Sequence, residues 1–148
     1  MSESTIIRAT EPMDAQGIAE LLAELNYATS PDAVISRLND LQQSGAAAFV
    51  ATSGDHVLGL LTVCRMSVLH RARDDARIST LVVAKSARNT GVGRALVDRA
   101  NEWAKTKGCG RIEVTSGNAR TDAHAFYLHL GFEQTSQRFS KTFHLDEL

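Results

Sequence analysis

Ile18, Leu21, Leu22 and Leu25 recur at three- and four-residue spacing between Met13 and Leu25, which predicts one buried face of a helix. Val34, Ile35, Leu38 and Leu41 repeat the pattern. Ser30-Pro31-Asp32 gives this second helix a hydroxyl cap, a proline at its first position and an acid in its first turn, and Gly45 can close it. Elsewhere the period falls to two. TIIRAT (5–10) alternates weakly and predicts an opening strand. AAAFVATS (46–53) and VLGLLTVCRMSVL (57–69) predict strands flanking Ser53-Gly54-Asp55-His56, whose Gly-Asp centre suits a hairpin turn. A short polar stretch, Arg71 to Asp75, leads to ARISTLVVA (76–84), predicted as an antiparallel neighbour.

Helical spacing returns with Val92, Leu96, Ala100, Trp103 and Ala104, ending at Gly108. RIEVTS (111–116) predicts another strand. Thr121 can cap a short helix in which Ala123, Phe126, Tyr127 and Leu130 share a face, stopped by Gly131. SQRFSKTFHL (136–145) alternates and predicts a strand closing the sheet. Helices interspersed in a mixed sheet imply an α+β fold with one layered core, a single domain over residues 1–148.

Composition narrows the classes. Hydrophobic content of 43% suits an ordinary core, and a net charge of −1 gives no general pull toward nucleic acid or an anionic membrane. No apolar run approaches the roughly 20 residues that span a bilayer, and MSESTIIRAT lacks the pattern of a signal peptide. Cys64 and Cys109 have no metal-ligand spacing and read as buried thiols in a reducing compartment. The expectation is a cytoplasmic protein without nucleic-acid or membrane partners.

One segment carries chemistry. After the apolar run ISTLVV comes ARNTGVGRALV (87–97), with glycine at 91 and 93 and arginine at 88 and 94. A strand passing through such a loop into a helix suits an anion, because the first helical turn has N–H groups without internal partners and a dipole that favours negative charge. Glycine lets phosphate oxygens approach without meeting a Cβ. The spacing is not G-x-G-x-x-G, since Leu96 stands where the third glycine would be, and no Walker pattern occurs. A plain glycine turn with solvated arginines is the alternative.

Arg88-Asn-Thr-Gly91-Val-Gly93 after ISTLVV resembles the phosphate-binding motif of the GCN5-related N-acetyltransferases, the acetyl-CoA-dependent GNAT family. The segment from Glu113 to Phe132, EVTSGNARTDAHAFYLHLGF, resembles that family's closing segment. The resemblance implies a mostly antiparallel sheet, splayed between the strands at about 76–84 and 111–116, with helices on both faces. It also implies that the main chain of Leu81, Val82 and Val83 pairs with the pantetheine arm of acetyl-CoA. The pyrophosphate would sit on the amides of Arg88, Asn89, Thr90, Gly91, Val92, Gly93 and Arg94, and Asn118 would hydrogen-bond the cofactor arm. Tyr127, by itself readable as a core tyrosine, takes the family's place for the general acid. The oxyanion donor would be the N–H of Val82 or Val83.

No metal is implied. Many relatives carry an acid on the strand before the loop, where this chain has Ser79 and Thr80. The base therefore stays open among Glu113, Asp74, Asp75, Glu24, His124 and a water chain. Arg73, Arg77 and Arg120 could meet an anionic acceptor; Asp74, Asp75 and Glu24 could meet a cationic one. The resemblance implies transfer of acetyl from acetyl-CoA to a primary amine, on a small molecule rather than a protein lysine or N-terminus, by direct attack in a ternary complex. The competing readings are a non-catalytic acetyl-CoA sensor and a nucleotide-binding module. The closing segment could also support a homodimer.

Overall fold

The computed structural model describes residues 4–115 and 121–145. In chain order they form β1 (Ile6–Ala9), a 3-10 turn (Pro12–Asp14), α1 (Ala15–Glu24), α2 (Pro31–Gln43), β2 (Ala47–Ser53), β3 (His56–Met66), β4 (Asp75–Val83), a second 3-10 turn (Lys85–Ala87), α3 (Val92–Thr106), β5 (Arg111–Val114) and α4 (Thr121–His129). The chain divides into two compact units, Met1–Val114 and Thr115–Leu148.

The first unit is a five-stranded sheet in the order β1-β2-β3-β4-β5. Every neighbouring pair is antiparallel except β4 and β5, which run parallel. The hairpin between β2 and β3 closes on the pair Ser53 and His56, with Gly54 at φ 57°. Ala51 faces Gly59 and Thr52 faces Val57, so Leu58 is the extra residue of a bulge. Gly59 and Val57 consequently turn to opposite faces. Val92 and Leu96 of α3 approach Gly59, and Gly17 of α1 approaches Val57. Helices therefore cover both faces. Leu61, Val63, Leu96 and Val97 are buried in one layer, and Ile18 and Val50 in the other.

The start and stop signals of α2 act as expected. The Ser30 hydroxyl accepts the Ala33 N–H at 3.1 Å, and Pro31 opens α2. Gly45, at φ 84°, lets the Ala46 N–H return to Leu41 O at 2.9 Å. Thr121 is the first residue of α4 rather than its cap.

Three strand expectations are corrected. The strand predicted to reach Leu69 ends at Met66, and Leu69 is fully exposed. The alternating segment 136–145 forms no strand. Alternation marks a chain able to pair, but a strand exists only where a ladder partner meets it. The strand predicted over 111–116 runs from Arg111 to Val114; Ser116 lies outside the described residues.

One ion pair ties the entrance of the fold. Arg8 on β1 donates to both carboxylate oxygens of Asp14, at 2.7 and 2.8 Å, and the Glu11 N–H donates to the same carboxylate at 2.7 Å. Asp14 is 5% exposed. The bonds from Arg8 hold its carboxyl below the ordinary carboxylate range against the opposing effect of burial, with the Glu11 N–H assisting. A depressed folded-state value stabilises the fold above the unfolded value of about 4 and loses that effect as pH falls through the folded value. Asp14→Asn should cost about 1–3 kcal/mol at neutral pH. Chemical denaturation at a series of pH values should show the difference shrinking below about pH 4.

Candidate active site

β4 is paired along one edge and only partly along the other. With β3 it forms an antiparallel ladder from Met66–Asp75 to Gly59–Val83, interrupted where Thr62 faces Thr80 and Val63 faces Ile78. Ser79 is the extra residue of that bulge. Its Oγ lies 2.7 Å from Thr62 Oγ1, so the two hydroxyls hold the kink. With β5 the ladder covers four pairs, Asp75–Arg111 to Ile78–Val114, and stops. Among the described residues, 79–83 have no partner on the β5 side.

The Ala84 N–H donates to Leu58 O at 2.8 Å, which sets the alternation of the β3–β4 ladder. In that phase Val82 directs its N–H and C=O toward β3. Leu81 and Val83 direct theirs toward the opposite edge, beyond the four pairs that β4 makes with β5. Main-chain groups on an open edge are a template for another amide-bearing chain. The three residues the sequence singles out thus divide: Leu81 and Val83 offer the template, and Val82 belongs to the sheet.

The loop after β4 carries the anion-binding features. Ala84 leads into the 3-10 turn, Arg88 is extended, Asn89 takes φ 61°, and Gly91 caps α3 at φ 89°. The Thr90 hydroxyl donates to Ala87 O. The first internal bond of α3 runs from the Ala95 N–H to Gly91 O at 3.0 Å, so the N–H groups of Val92, Gly93 and Arg94 have no partner within the helix. Glycine has no side chain with which to cap them. Val92 is buried and anchors the turn, while Arg88, Asn89, Thr90, Gly91 and Arg94 are exposed. The first turn holds no acid; Arg94 stands there instead. That reverses the usual charge preference at a helix N-terminus and is relieved by a bound anion.

Most of the candidate bases are already engaged. Asp75 is 4% exposed, with Oδ2 3.6 Å from the Nε atoms of both Arg71 and Arg111. Glu113 pairs with Arg111 at 3.2 Å and Arg77 at 3.8 Å. Asp74 accepts from Ser67 at 3.0 Å and lies 3.3 Å from Arg65. Glu24 Oε1 accepts the Lys85 N–H at 2.8 Å. Burial pushes the Cys109 thiol pKa up, unlike that of a nucleophile. Neither the Thr62–Ser79 pair nor the Glu24–Lys85 bond was legible in the sequence, because each joins residues far apart along the chain.

In the second unit, the Tyr127 ring packs edge-on against Phe126 and Phe132, with centroids 5.3 and 5.6 Å away. The Phe132 N–H returns to Tyr127 O at 3.0 Å. His124 is half-buried on the same helix. Asn118 and Arg120 lie outside the described residues. A cavity of about 250 Å³ between α2 and β2 is lined by Ile35, Leu38, Leu41 and Phe49, and contains none of the expected site residues. Among the described residues, no group of three or more His, Cys, Asp or Glu could hold a metal ion, and no helix is long and apolar enough to cross a membrane.

The sequence model of the acetyltransferase (GNAT) family matches residues 15–132. The chain is 32% identical to the aminoalkylphosphonate N-acetyltransferase of Salmonella typhimurium over 125 residues, 84% of this chain and 79% of that protein. It spans less of another relative, 46% of a Bacillus subtilis N-acetyltransferase, at 40% identity over 65 residues that make up 43% of this chain. A solved structure of a transcriptional regulator from Bacillus halodurans superposes with a TM-score of 0.86 at 25% identity, covering 95% of this chain and 100% of that one. An aminoglycoside N-acetyltransferase solved in complex with CoA shares the fold, with a TM-score of 0.84 at 18% identity over 98% of both chains.

Gly91 tests the loop directly. Its φ of 89° is strained for a residue bearing a Cβ, although nothing lies within 4 Å of where that atom would sit. Gly91→Ala should therefore lower stability by about 1–2 kcal/mol through backbone strain alone, measured by thermal denaturation without ligand.

Proposed function

The chain belongs to the acetyltransferase (GNAT) family as an acetyl-CoA-dependent N-acyltransferase, and from that premise we propose that it moves the acetyl group of acetyl-CoA onto a primary amine of a small molecule by direct attack in a ternary complex. The observation that carries this reading is the open edge of β4, with Leu81 and Val83 facing outward, leading into a loop whose helical N–H groups lie beside Arg94. An amide-rich arm on the strand and a diphosphate on the loop would use both. The similarity to an aminoalkylphosphonate N-acetyltransferase supports a small amine as acceptor.

In this reading Arg88 through Arg94 hold the pyrophosphate and Leu81 and Val83 hold the pantetheine arm, with Asn118 adding a side-chain hydrogen bond. The free amine attacks the thioester carbon, and a C–N bond forms as the carbonyl oxygen takes up negative charge. Of the two N–H groups expected to steady that charge, the β3 ladder occupies Val82, which favours Val83. The C–S bond then breaks and the electron pair leaves with sulfur. Tyr127 supplies its phenolic proton to the departing thiolate, which leaves as the CoA thiol. Asp74, Asp75, Glu113 and Glu24 are held in ion pairs or on the main chain, which leaves His124 or a water chain to solvent to take the ammonium proton. No metal enters the scheme. The two free cysteines agree with a reducing cytoplasm, and residues 1–148 act as one N-acetyltransferase domain.

The test combines CoA calorimetry with thiol release from acetyl-CoA across an amine panel that includes aminoalkylphosphonates and amino sugars. Gly91→Trp should lose CoA binding. Tyr127→Phe should keep it while kcat falls by about 100-fold or more. Full turnover in the tyrosine variant would remove Tyr127 from the mechanism. CoA binding by the wild type without amine-stimulated thiol release would identify a sensor instead of an enzyme.

A further inference from the structure

Glu24 is the last residue of α1, and its carboxylate reaches across 61 sequence positions to accept the Lys85 N–H at 2.8 Å. Lys85 opens the 3-10 turn that carries the chain from β4 into the loop of Arg88 to Arg94. The first N–H of such a turn has no partner inside it. Beyond the turn the backbone enters the left-handed region twice before α3 begins, at Asn89 (φ 61°), which is strained there, and at Gly91 (φ 89°). Loops of this kind depend on ties from outside. Thr90 ties the loop to Ala87 from within, and Glu24 ties its first residue to a different part of the fold.

The other side of Glu24 matters equally. The connection from α1 to α2 begins at the next residue, with Leu25 ending the helix, Asn26 at φ 69°, and the Tyr27 N–H returning to Leu22 O at 2.8 Å. Tyr27 is 57% exposed on that connection.

We infer that Glu24 is a positioning residue, not a base: it fastens the diphosphate loop to the α1–α2 connection and couples the affinity for acetyl-CoA to the order of that connection. The inference rests on the reading of residues 88–94 as the diphosphate site. A ligand that orders the loop strengthens the Lys85–Glu24 bond and with it the end of α1. By linkage, a ligand that orders the connection must strengthen CoA binding by the same factor.

The bond can be removed from either end. Glu24→Ala deletes the acceptor oxygen, and Glu24→Gln keeps one. Lys85→Pro deletes the N–H together with the lysine side chain. Proline fits there because Ala84, at φ −55° and ψ 143°, has the extended conformation required before it, and the first position of a helical turn tolerates it. Lys85→Ala keeps the N–H and controls for the lost side chain.

Calorimetry with CoA should show about three- to tenfold weaker binding for Glu24→Ala and Lys85→Pro, and values within about twofold of the wild type for Glu24→Gln and Lys85→Ala. The double variant Glu24→Ala/Lys85→Pro should bind no more weakly than the worse single one, because both remove the same bond. In turnover, KM for acetyl-CoA should rise while kcat at saturation holds. Wild-type affinity in both Glu24→Ala and Lys85→Pro, or a Gln variant as weak as Ala, overturns the inference. So does a collapse of kcat that Gln fails to rescue, which would make Glu24 a base. If Glu24→Ala does not fold, Lys85→Pro against Lys85→Ala carries the same comparison. Absence of CoA binding in the wild type would instead refute the reading of the loop.

Discussion

A parallel ladder of four residue pairs joins β4 to β5 and then stops, while the antiparallel ladder on the other edge of β4 continues for its full length. The remaining residues of β4 stay extended because β3 holds them, and among the described residues their outward main-chain groups meet no strand. Water or a ligand must satisfy those groups, since an unmet amide is costly once solvent is excluded. The bulge at Ser79 falls at this interruption, where extra twist turns a strand away from its neighbour. The Thr62 hydroxyl fastens it.

The position of α3 is set by the same strand. β4 ends at Val83, and within nine residues the chain must turn and begin a helix whose Val92 and Leu96 pack over Gly59. A Cβ on Gly59 would lie 2.9 Å from Leu96 Cδ1 and 3.2 Å from Val82 O, so the close seat of the helix on the sheet requires a residue without one. That seat sets the first turn of α3 at the open end of β4. Its partial positive charge, the unpartnered N–H groups and Arg94 then reinforce one another instead of cancelling. The local charge is unfavourable without an anion and favourable with one.

Acidic residues are plentiful around the N-terminal ends of β4 and β5, but they are not free chemistry. Arg71, Arg77 and Arg111 alternate with Asp75 and Glu113 in a chain of ion pairs across the parallel ladder. Such a chain supports the short pairing that persists before the strands part. At the bulge itself the chain offers hydroxyls, from Ser79 and Thr62, in place of a carboxylate. Positioning of cofactor and acceptor therefore carries most of the burden in the proposed reaction, and the bond from Glu24 to the Lys85 N–H belongs to that positioning.

Much of this was legible in the chain itself. The stripes of Ile18, Leu21 and Leu25 and of Val92, Leu96 and Ala100 specified helices. The hydroxyl-proline-acid run at Ser30 specified where α2 begins, and Gly91 marked the one place where a left-handed residue opens α3. These are local matters: periodicity and backbone sterics act within a few residues, and the sequence states them directly. The tertiary structure alone decided the rest. It ended the described β4–β5 ladder at Ile78, put Val82 on the inner edge and Leu81 and Val83 on the outer, brought the Glu24 carboxylate to the Lys85 N–H, and left the alternating segment 136–145 without a strand. Each of those outcomes depends on which main-chain group finds which partner across the fold, and pairing between residues tens of positions apart leaves no mark on either residue's own neighbourhood.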